Sequence, residues 1–201
     1  MRDKVIWITG ASSGIGEELA KQYAKRGSKL ILSARRKEEL ERVRSSCLNQ
    51  DNIKIVPLDL TDFSGLPQKV EEAKECFGAI DLLINNGGVS QRSLIVDSSF
   101  DVYKQLMDVN YLGTIALTKA LLPYFIDRQQ GHFAVVTSVM GKYGSPFRSG
   151  YAGAKHALHG FFDVLRMEHQ KDNISVSILC PGFVQTNVTI NALTGDGSSL
   201  G

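Results

Sequence analysis

The stretch VIWITGASSGIG, residues 5–16, decides the fold prediction for this chain. Its first five residues are mostly apolar or β-branched and predict a strand, which is followed by a loop with glycines at Gly10, Gly14 and Gly16. A strand–loop–helix unit of this kind presents free backbone N–H groups and a helix N-terminus to a pyrophosphate. Glycine is needed where the main chain turns tightly or approaches phosphates. The alternative interpretation is a glycine-rich turn that merely starts a helix.

The rest of the chain alternates short β-branched runs with longer amphipathic stretches. Strands are predicted over residues 5–9, 29–33, 53–58, 79–85, 132–138 and 174–180, and helices over residues 14–26, 37–45, 66–77, 103–125 and 150–170. This alternation implies parallel pairing with right-handed crossovers. We therefore predict an α/β fold with a doubly wound, Rossmann-like parallel sheet, forming a single domain over residues 1–201.

The composition excludes several classes of function. The 201 residues carry a net charge of +2 with both signs interspersed, so nothing indicates binding to nucleic acid. The longest apolar runs have the length of a strand, which predicts no membrane span, and the N-terminus leads directly into a strand without a signal peptide. Three scattered cysteines and four histidines show no ligand spacing, so we expect reduced cysteines, no metal and a cytoplasmic location.

Ligands of such sheets bind beyond the carboxyl ends of the strands, which makes the residues after each strand informative. After the second strand the chain has Ala34, Arg35 and Arg36 where folds that prefer NAD place an acidic residue. A guanidinium can bind a 2′-phosphate, which indicates NADP(H). The alternative is that both arginines are solvated loop residues, which suits Arg36 better than Arg35. Asp59 and Leu60 follow the third strand and suit an adenine edge, while Asp59 could also cap a helix.

Three further groups of residues follow the later strands. NNGG (85–88) comes after the fourth, and Asn110 lies inside a predicted helix, where asparagine is unfavourable without a specific reason. Ser138 ends the fifth strand, where its hydroxyl could simply satisfy the backbone. In YAGAK, Tyr151 and Lys155 share one helix face, and the ammonium could lower the pKa of the phenol toward the working range of a general base. The three small residues between them would leave room for a cofactor.

The ordered set TGASSGIG, NNGG, Asn110, Ser138, YAGAK and PGFVQT resembles the single-domain short-chain dehydrogenase/reductase family over residues 4 to about 190. SARR, NNGGVSQRSL and VNYLGT are most similar to the branch near the hydroxysteroid dehydrogenases. The one departure is Gly87, where the family usually has alanine. The resemblance implies that Lys155 also binds the nicotinamide ribose, that Ser138 holds the substrate oxygen and that Asn110 helps a water relay the proton.

The residues singled out fall into two groups. The predicted catalytic residues are Asn110, Ser138, Tyr151 and Lys155. The predicted cofactor-binding residues are Gly10, Ser12, Ser13, Gly14, Ile15, Gly16, Arg35, Arg36, Asp59, Leu60, Asn86, Gly87, Tyr151, Lys155, Pro181, Gly182, Val184 and Thr186.

The leading hypothesis is an NADP(H)-dependent oxidoreductase that interconverts a secondary alcohol and a ketone or aldehyde, with Tyr151 as general acid/base. A non-catalytic dinucleotide-binding sensor or scaffold is the alternative. Residues 187–201 are rich in Gly, Ser and Asn and read as the start of a truncated or mobile substrate loop, with a final strand missing from the chain. By resemblance we expect a homodimer or homotetramer, packed through apolar positions that could instead belong to the core: Leu117, Leu121, Phe161 and Leu165.

Overall fold

The computed structural model describes residues 2–186 and 190–201 as a six-stranded sheet flanked by helices. Six strands and six main helices alternate along the chain in the order β1 (Val5–Thr9), α1 (Gly14–Lys25), β2 (Lys29–Ser33), α2 (Lys37–Ser46), β3 (Ile53–Ile55), α3 (Leu66–Phe77), β4 (Leu82–Asn85), α4 (Phe100–Met107), α5 (Gly113–Asp127), β5 (Gly131–Val136), α6 (Ser149–Glu168) and β6 (Ile174–Leu179). All five pairings are parallel, and the strand order is β3-β2-β1-β4-β5-β6. This confirms the doubly wound α/β prediction.

Both faces of the sheet are covered by apolar layers. Ile6 and Ile8 of β1 belong to one core cluster, while Val5 and Trp7 belong to the cluster on the opposite face. Successive side chains of a strand point to opposite faces, so a strand buried on both sides reads as a continuous apolar run. This is why VIWI is apolar without alternation.

Several predicted boundaries are wrong for local reasons. The strand predicted over residues 79–85 begins only at Leu82, although the Asp81 main chain already donates to the Val5 carbonyl at 2.9 Å and accepts the His132 N–H at 3.1 Å. The third strand ends at Ile55, two residues before Pro57, which has no N–H to donate. The helix predicted over residues 103–125 begins at Phe100 and is interrupted by a π-turn at Asp108–Leu112.

The order of the strands creates a crevice. The chain leaves β1 toward β2 on one side and reaches β4 on the other, so the loops after β1 and β4 diverge at the carboxyl edge of the sheet. A crevice at such a switch point is where doubly wound folds bind their ligands.

Candidate active site

The glycine loop after β1 has a shape that side chains would disrupt. Gly10 and Gly14 have φ values of +63° and +57°, a region that non-glycine residues rarely occupy. A Cβ on Gly16 would lie 2.2 Å from the Gly10 carbonyl oxygen. The loop therefore needs glycine for conformation at two positions and for space at the third, and α1 begins inside it.

Hydrogen bonds connect this loop to the loop after β4. The Thr9 hydroxyl accepts the N–H groups of Asn86 and Gly87, each at 3.0 Å. The Asn86 side-chain amide donates to the Thr9 and Gly10 carbonyls at 3.1 and 3.2 Å. Asn86 thus supports the glycine loop, and Thr9, which the sequence predictions missed, completes the connection.

A cavity of about 590 Å³ runs along the carboxyl edge of the sheet from the end of β2 to α6. All four predicted catalytic residues and all predicted cofactor-binding residues except Gly16 line it. Gly16 lies beneath the loop, against Gly10, and shapes the cavity without lining it. The lining residues that the sequence predictions missed include Gly88, Val89, Ser90, Gln105, Val109, Asn191, Leu193, Gly197 and Ser199.

Tyr151 and Lys155 lie on one face of α6 with their tips toward the cavity. The Lys155 ammonium is 5.7 Å from the centroid of the Tyr151 ring and donates to the Val136 carbonyl at 2.9 Å. Lys155 is only 4% exposed, and burial lowers its pKa to about 8. Ser138 begins a short turn at Val139–Gly141, and its hydroxyl accepts the Met140 N–H at 3.1 Å while facing the cavity.

The prediction that the Lys155 ammonium lowers the pKa of the Tyr151 phenol is wrong for this structure. Burial raises the pKa of the Tyr151 phenol, and a hydrogen bond with Ser138 and the charge of Arg148 act in the opposite direction. The Lys155 ammonium is directed to Val136 instead. The phenol is therefore held in its protonated form at neutral pH.

The prediction that the three small residues of YAGAK leave room for a cofactor is also wrong. Ala152 and Ala154 are buried, Gly153 is exposed, and none of the three lines the cavity. The small size of Ala152 and Ala154 allows α6 to pack closely on its neighbours, whereas a Cβ on Gly153 would meet nothing within 4 Å. Of the α6 residues, Tyr151 and Lys155 line the cavity.

The hydrogen bonds of Asn110 explain why an asparagine occupies this unfavourable position within a helix. It is fully buried in the π-turn, where its Oδ1 accepts the Val89 N–H at 2.9 Å and its Nδ2 donates to the Val89 carbonyl at 3.0 Å. Such turns inside helices are frequent at functional sites. The side-chain amide holds the loop after β4 against the helix, which is a different task from the water relay that the resemblance implies.

At the end of the cavity that Arg35 and Arg36 line, the sequence predictions missed one supporting residue, Arg42. Arg35 and Arg36 are exposed and line the cavity beside Ala34. Arg42 of α2 donates to the Ser12 carbonyl at 3.0 Å and pairs with Glu17 at 2.9 Å. The hydrogen bond from Arg42 lowers the pKa of Glu17 to about 2. Nothing in the sequence pattern linked residue 42 to the glycine loop.

Asp59 closes a local turn, with Oδ1 accepting from the N–H and the hydroxyl of Thr61 at 2.9 and 2.8 Å. The alternative in which Asp59 caps a helix is wrong, because α3 begins at Leu66 with Gly65 as its N-cap. Asp59 and Leu60 both line the cavity, as predicted.

The C-terminal segment contacts the cavity rim. Residues 187–189 of the predicted substrate loop lie outside the described residues. Beyond them, Leu193 is buried, accepts the Arg92 N–H at 2.8 Å and donates to the Ser90 carbonyl at 2.9 Å. Residues 190–201 therefore have defined contacts in the structure.

Two of the sequence predictions concern a membrane span and a metal site. None of the helices described there is long and apolar enough to span a bilayer. Among the same residues no group of three or more histidine, cysteine or acidic side chains could hold a metal ion.

The fold and this crevice define a doubly wound α/β protein of the dinucleotide-binding class. A profile of the short chain dehydrogenase family matches residues 4–196, and the chain belongs to that family. It is 50% identical over 202 residues to human dehydrogenase/reductase SDR family member 7, covering 98% of this chain and 60% of that relative. The chain thus spans about three fifths of the length of that curated relative.

Solved structures agree with the fold. Levodione reductase superposes with a TM-score of 0.90 at 27% identity, covering 95% of this chain and 76% of that chain. A variant of actinorhodin polyketide ketoreductase with NADPH has a TM-score of 0.87 at 26% identity, covering 92% and 74%. A Burkholderia phymatum short chain dehydrogenase/reductase in complex with NAD has a TM-score of 0.87 at 27% identity, covering 94% and 68%.

Proposed function

We propose that this chain is an NADP(H)-dependent oxidoreductase that interconverts a secondary alcohol and a ketone or aldehyde. The observation that carries the proposal is the convergence of Ser138, Tyr151 and Lys155 at one end of a single cavity whose other end is lined by Arg35 and Arg36. The glycine loop between these ends supports the same reading, because its backbone N–H groups and the N-terminus of α1 suit a pyrophosphate. The residues present therefore fit a nicotinamide dinucleotide, which supplies or accepts a hydride when it is bound.

The side chains at the α6 end supply the proton chemistry. Ser138 and Tyr151 offer two hydroxyl groups from different elements, which can hold one substrate oxygen between them. A phenol with a raised pKa is protonated at neutral pH and can donate to an oxygen that becomes negatively charged. Tyr151 therefore acts as the acid in carbonyl reduction, and the same group takes the proton back in alcohol oxidation.

Preference for NADP(H) rests on the arginine end. Ala34 stands where a carboxylate would repel a 2′-phosphate, and the exposed Arg35 guanidinium can pair with that phosphate. A charge-assisted contact of this kind contributes about 1.5–3 kcal/mol, which corresponds to roughly a ten- to hundredfold preference over NAD(H). Family relatives solved with NADPH and with NAD show that the fold accommodates either.

The test combines a carbonyl panel with a cofactor switch. The chain is incubated with NADPH or NADH and a series of ketones and aldehydes, and the loss of nicotinamide absorbance is recorded. We expect turnover with NADPH, and the double variant Ala34→Asp/Arg35→Ala should reverse the preference between the two cofactors. Equal dissociation constants for NADPH and NADH in the unmodified chain would contradict the assignment of Arg35.

The proposal extends to self-association. Of the four apolar positions considered for a partner contact, Leu117, Leu121 and Leu165 are core residues, which is the alternative that the sequence left open. Phe161 is partly buried against the same core. The exposed apolar residues of the same helices are Val164 and Met167 of α6, and Leu112 of the π-turn between α4 and α5. We expect these to form the homo-oligomer contact.

A further inference from the structure

Gln91 is a polar side chain that is completely buried in the loop after β4. Its Oε1 accepts the Gly150 N–H at 2.8 Å and the Tyr151 N–H at 3.3 Å. Its Nε2 donates to the hydroxyls of Ser93 and Ser98, each at 3.1 Å. Both ends of one buried amide are therefore engaged, and one of them holds the backbone of Tyr151 itself.

The N-terminus of α6 needs such an acceptor. The first N–H groups of a helix have no partner within the helix, and a capping side chain usually supplies one. Arg148, at the N-cap position of α6, makes no capping hydrogen bond through its side chain. Gln91, which is 59 residues away from Gly150 along the chain, takes over this function.

The same loop connects Tyr151 to the rim of the cavity. Gln91 forms a bridge with Leu193, and Leu193 packs with Val102, Leu106 and Tyr151 in one small apolar cluster. A Cβ on Gly150 would lie 2.8 Å from Leu106 Cδ1 and 3.2 Å from Gln91 Oε1, so the helix start is held closely on this side too. The first turn of α6 therefore has one defined position relative to the loop.

We propose that Gln91 is a positioning residue for Tyr151, which fixes the phenol relative to Ser138 and the cofactor end of the cavity by holding the first turn of α6. The proposal rests on the proposed role of Tyr151. Gln91 does not line the cavity among the residues that the structure describes, so it acts through α6 and not through contact with the reacting atoms. A displacement of about 1 Å at a catalytic group can cost on the order of a hundredfold in rate.

The test compares Gln91→Met, Gln91→Glu and the control Thr118→Val. Methionine keeps the volume but removes the acceptor, whereas glutamate keeps an oxygen for the Gly150 and Tyr151 N–H groups. Thr118 is equally buried and loses one buried hydrogen bond, to Asn85, at a site that does not line the cavity. The measurements are kcat, the Kd for NADPH, the melting temperature and the ring signal of Tyr151 in protein labelled with ¹³C-tyrosine, assigned with Tyr151→Phe.

We expect Gln91→Met to lower kcat by roughly ten- to a hundredfold with a nearly unchanged Kd for NADPH, and Gln91→Glu to retain most of the turnover. Thr118→Val should destabilise the protein without lowering kcat. Equal kcat in Gln91→Met and the unmodified chain, or equal losses in the methionine and glutamate variants, would overturn the inference. If the unmodified chain turns over no substrate, the proposed function fails while the Tyr151 signal still decides the inference. A shift of that signal in Gln91→Met but not in Thr118→Val supports the positioning role, and an unshifted signal in both overturns it.

Discussion

Lys155 is a cation that the fold keeps almost entirely out of water, with the Val136 carbonyl as its hydrogen-bond acceptor. Its native pKa of about 8 lies below the 10.5 of an unperturbed lysine, so between these values the unfolded chain binds a proton that the native chain does not. Stability contributed by this residue is therefore lowest below pH 8 and rises toward pH 10.5.

Replacing Lys155 by methionine should remove this dependence. At pH 7 the cofactor-free variant is expected to be more stable than the unmodified chain by about 2 kcal/mol, because the cost of burying the charge exceeds the loss of one hydrogen bond. Urea unfolding at pH 7 and at pH 10 measures both the gain and its disappearance. A less stable variant at pH 7 would show that the ammonium is not penalised by its surroundings.

Two glycines of the site should respond differently to alanine. A Cβ at Gly16 would meet the Gly10 carbonyl oxygen at 2.2 Å, and neither main chain can move without opening the loop. A Cβ at Gly87 would meet the tip of the Leu60 side chain at 2.8 Å, and that side chain can rotate away.

We expect Gly16→Ala to abolish NADPH binding, and Gly87→Ala to leave the Kd for NADPH nearly unchanged. Fluorescence titration of the two variants against NADPH gives the comparison, with circular dichroism as the check on folding. Comparable losses of affinity in both would mean that the loop tolerates no change at either position, contrary to the contacts at Leu60.

At the scale of elements, α2 is connected to the glycine loop through Arg42. The hydrogen bond from Arg42 lowers the pKa of Glu17 to about 2, compared with 4.5 for an unperturbed glutamate. The stability that this pair contributes is present above pH 4.5 and is lost as the pH falls from there toward 2.

The variant Arg42→Met should therefore flatten the loss of stability between pH 5 and pH 3. It should also weaken NADPH binding severalfold, because the Ser12 carbonyl loses its donor and the loop is less well ordered. Urea midpoints at the two pH values and a Kd for NADPH test both effects. Arg44→Met, whose partner Glu41 lies on the same helix away from the loop, is the matched control. A pH profile equal to that of the unmodified chain would contradict the role of Arg42.

Contacts within an element could be predicted from the sequence, whereas contacts between distant elements could not. The sheet and the crevice followed from the alternation of strands and helices, because parallel strands place all their carboxyl ends at one edge. Gln91, Arg42 and the acceptor of Lys155 could not be predicted, since each is a contact between residues far apart in the chain. The raised pKa of Tyr151 likewise depends on burial, which local spacing does not report.

At the scale of the whole molecule, the exposed apolar residues of α6 test self-association. Val164 is 45% exposed and Met167 is 69% exposed, on a helix whose buried face already packs on the sheet. Light scattering should give a mass of at least two chains at micromolar concentration, and Val164→Lys/Met167→Lys should reduce it to one chain. A single-chain mass for the unmodified protein would refute the oligomer.

The proposed activity depends on Tyr151 acting as the proton donor in a cavity that holds a dinucleotide. The most direct measurement is turnover and NADPH binding for the unmodified chain and for Tyr151→Phe, using the best carbonyl substrate of the panel. We predict that kcat falls by roughly a hundred- to ten-thousandfold in the variant, because the general acid is gone, while the Kd for NADPH stays within about threefold. Unchanged turnover in Tyr151→Phe, or binding of NADPH with no Tyr151-dependent turnover of any carbonyl, would contradict it.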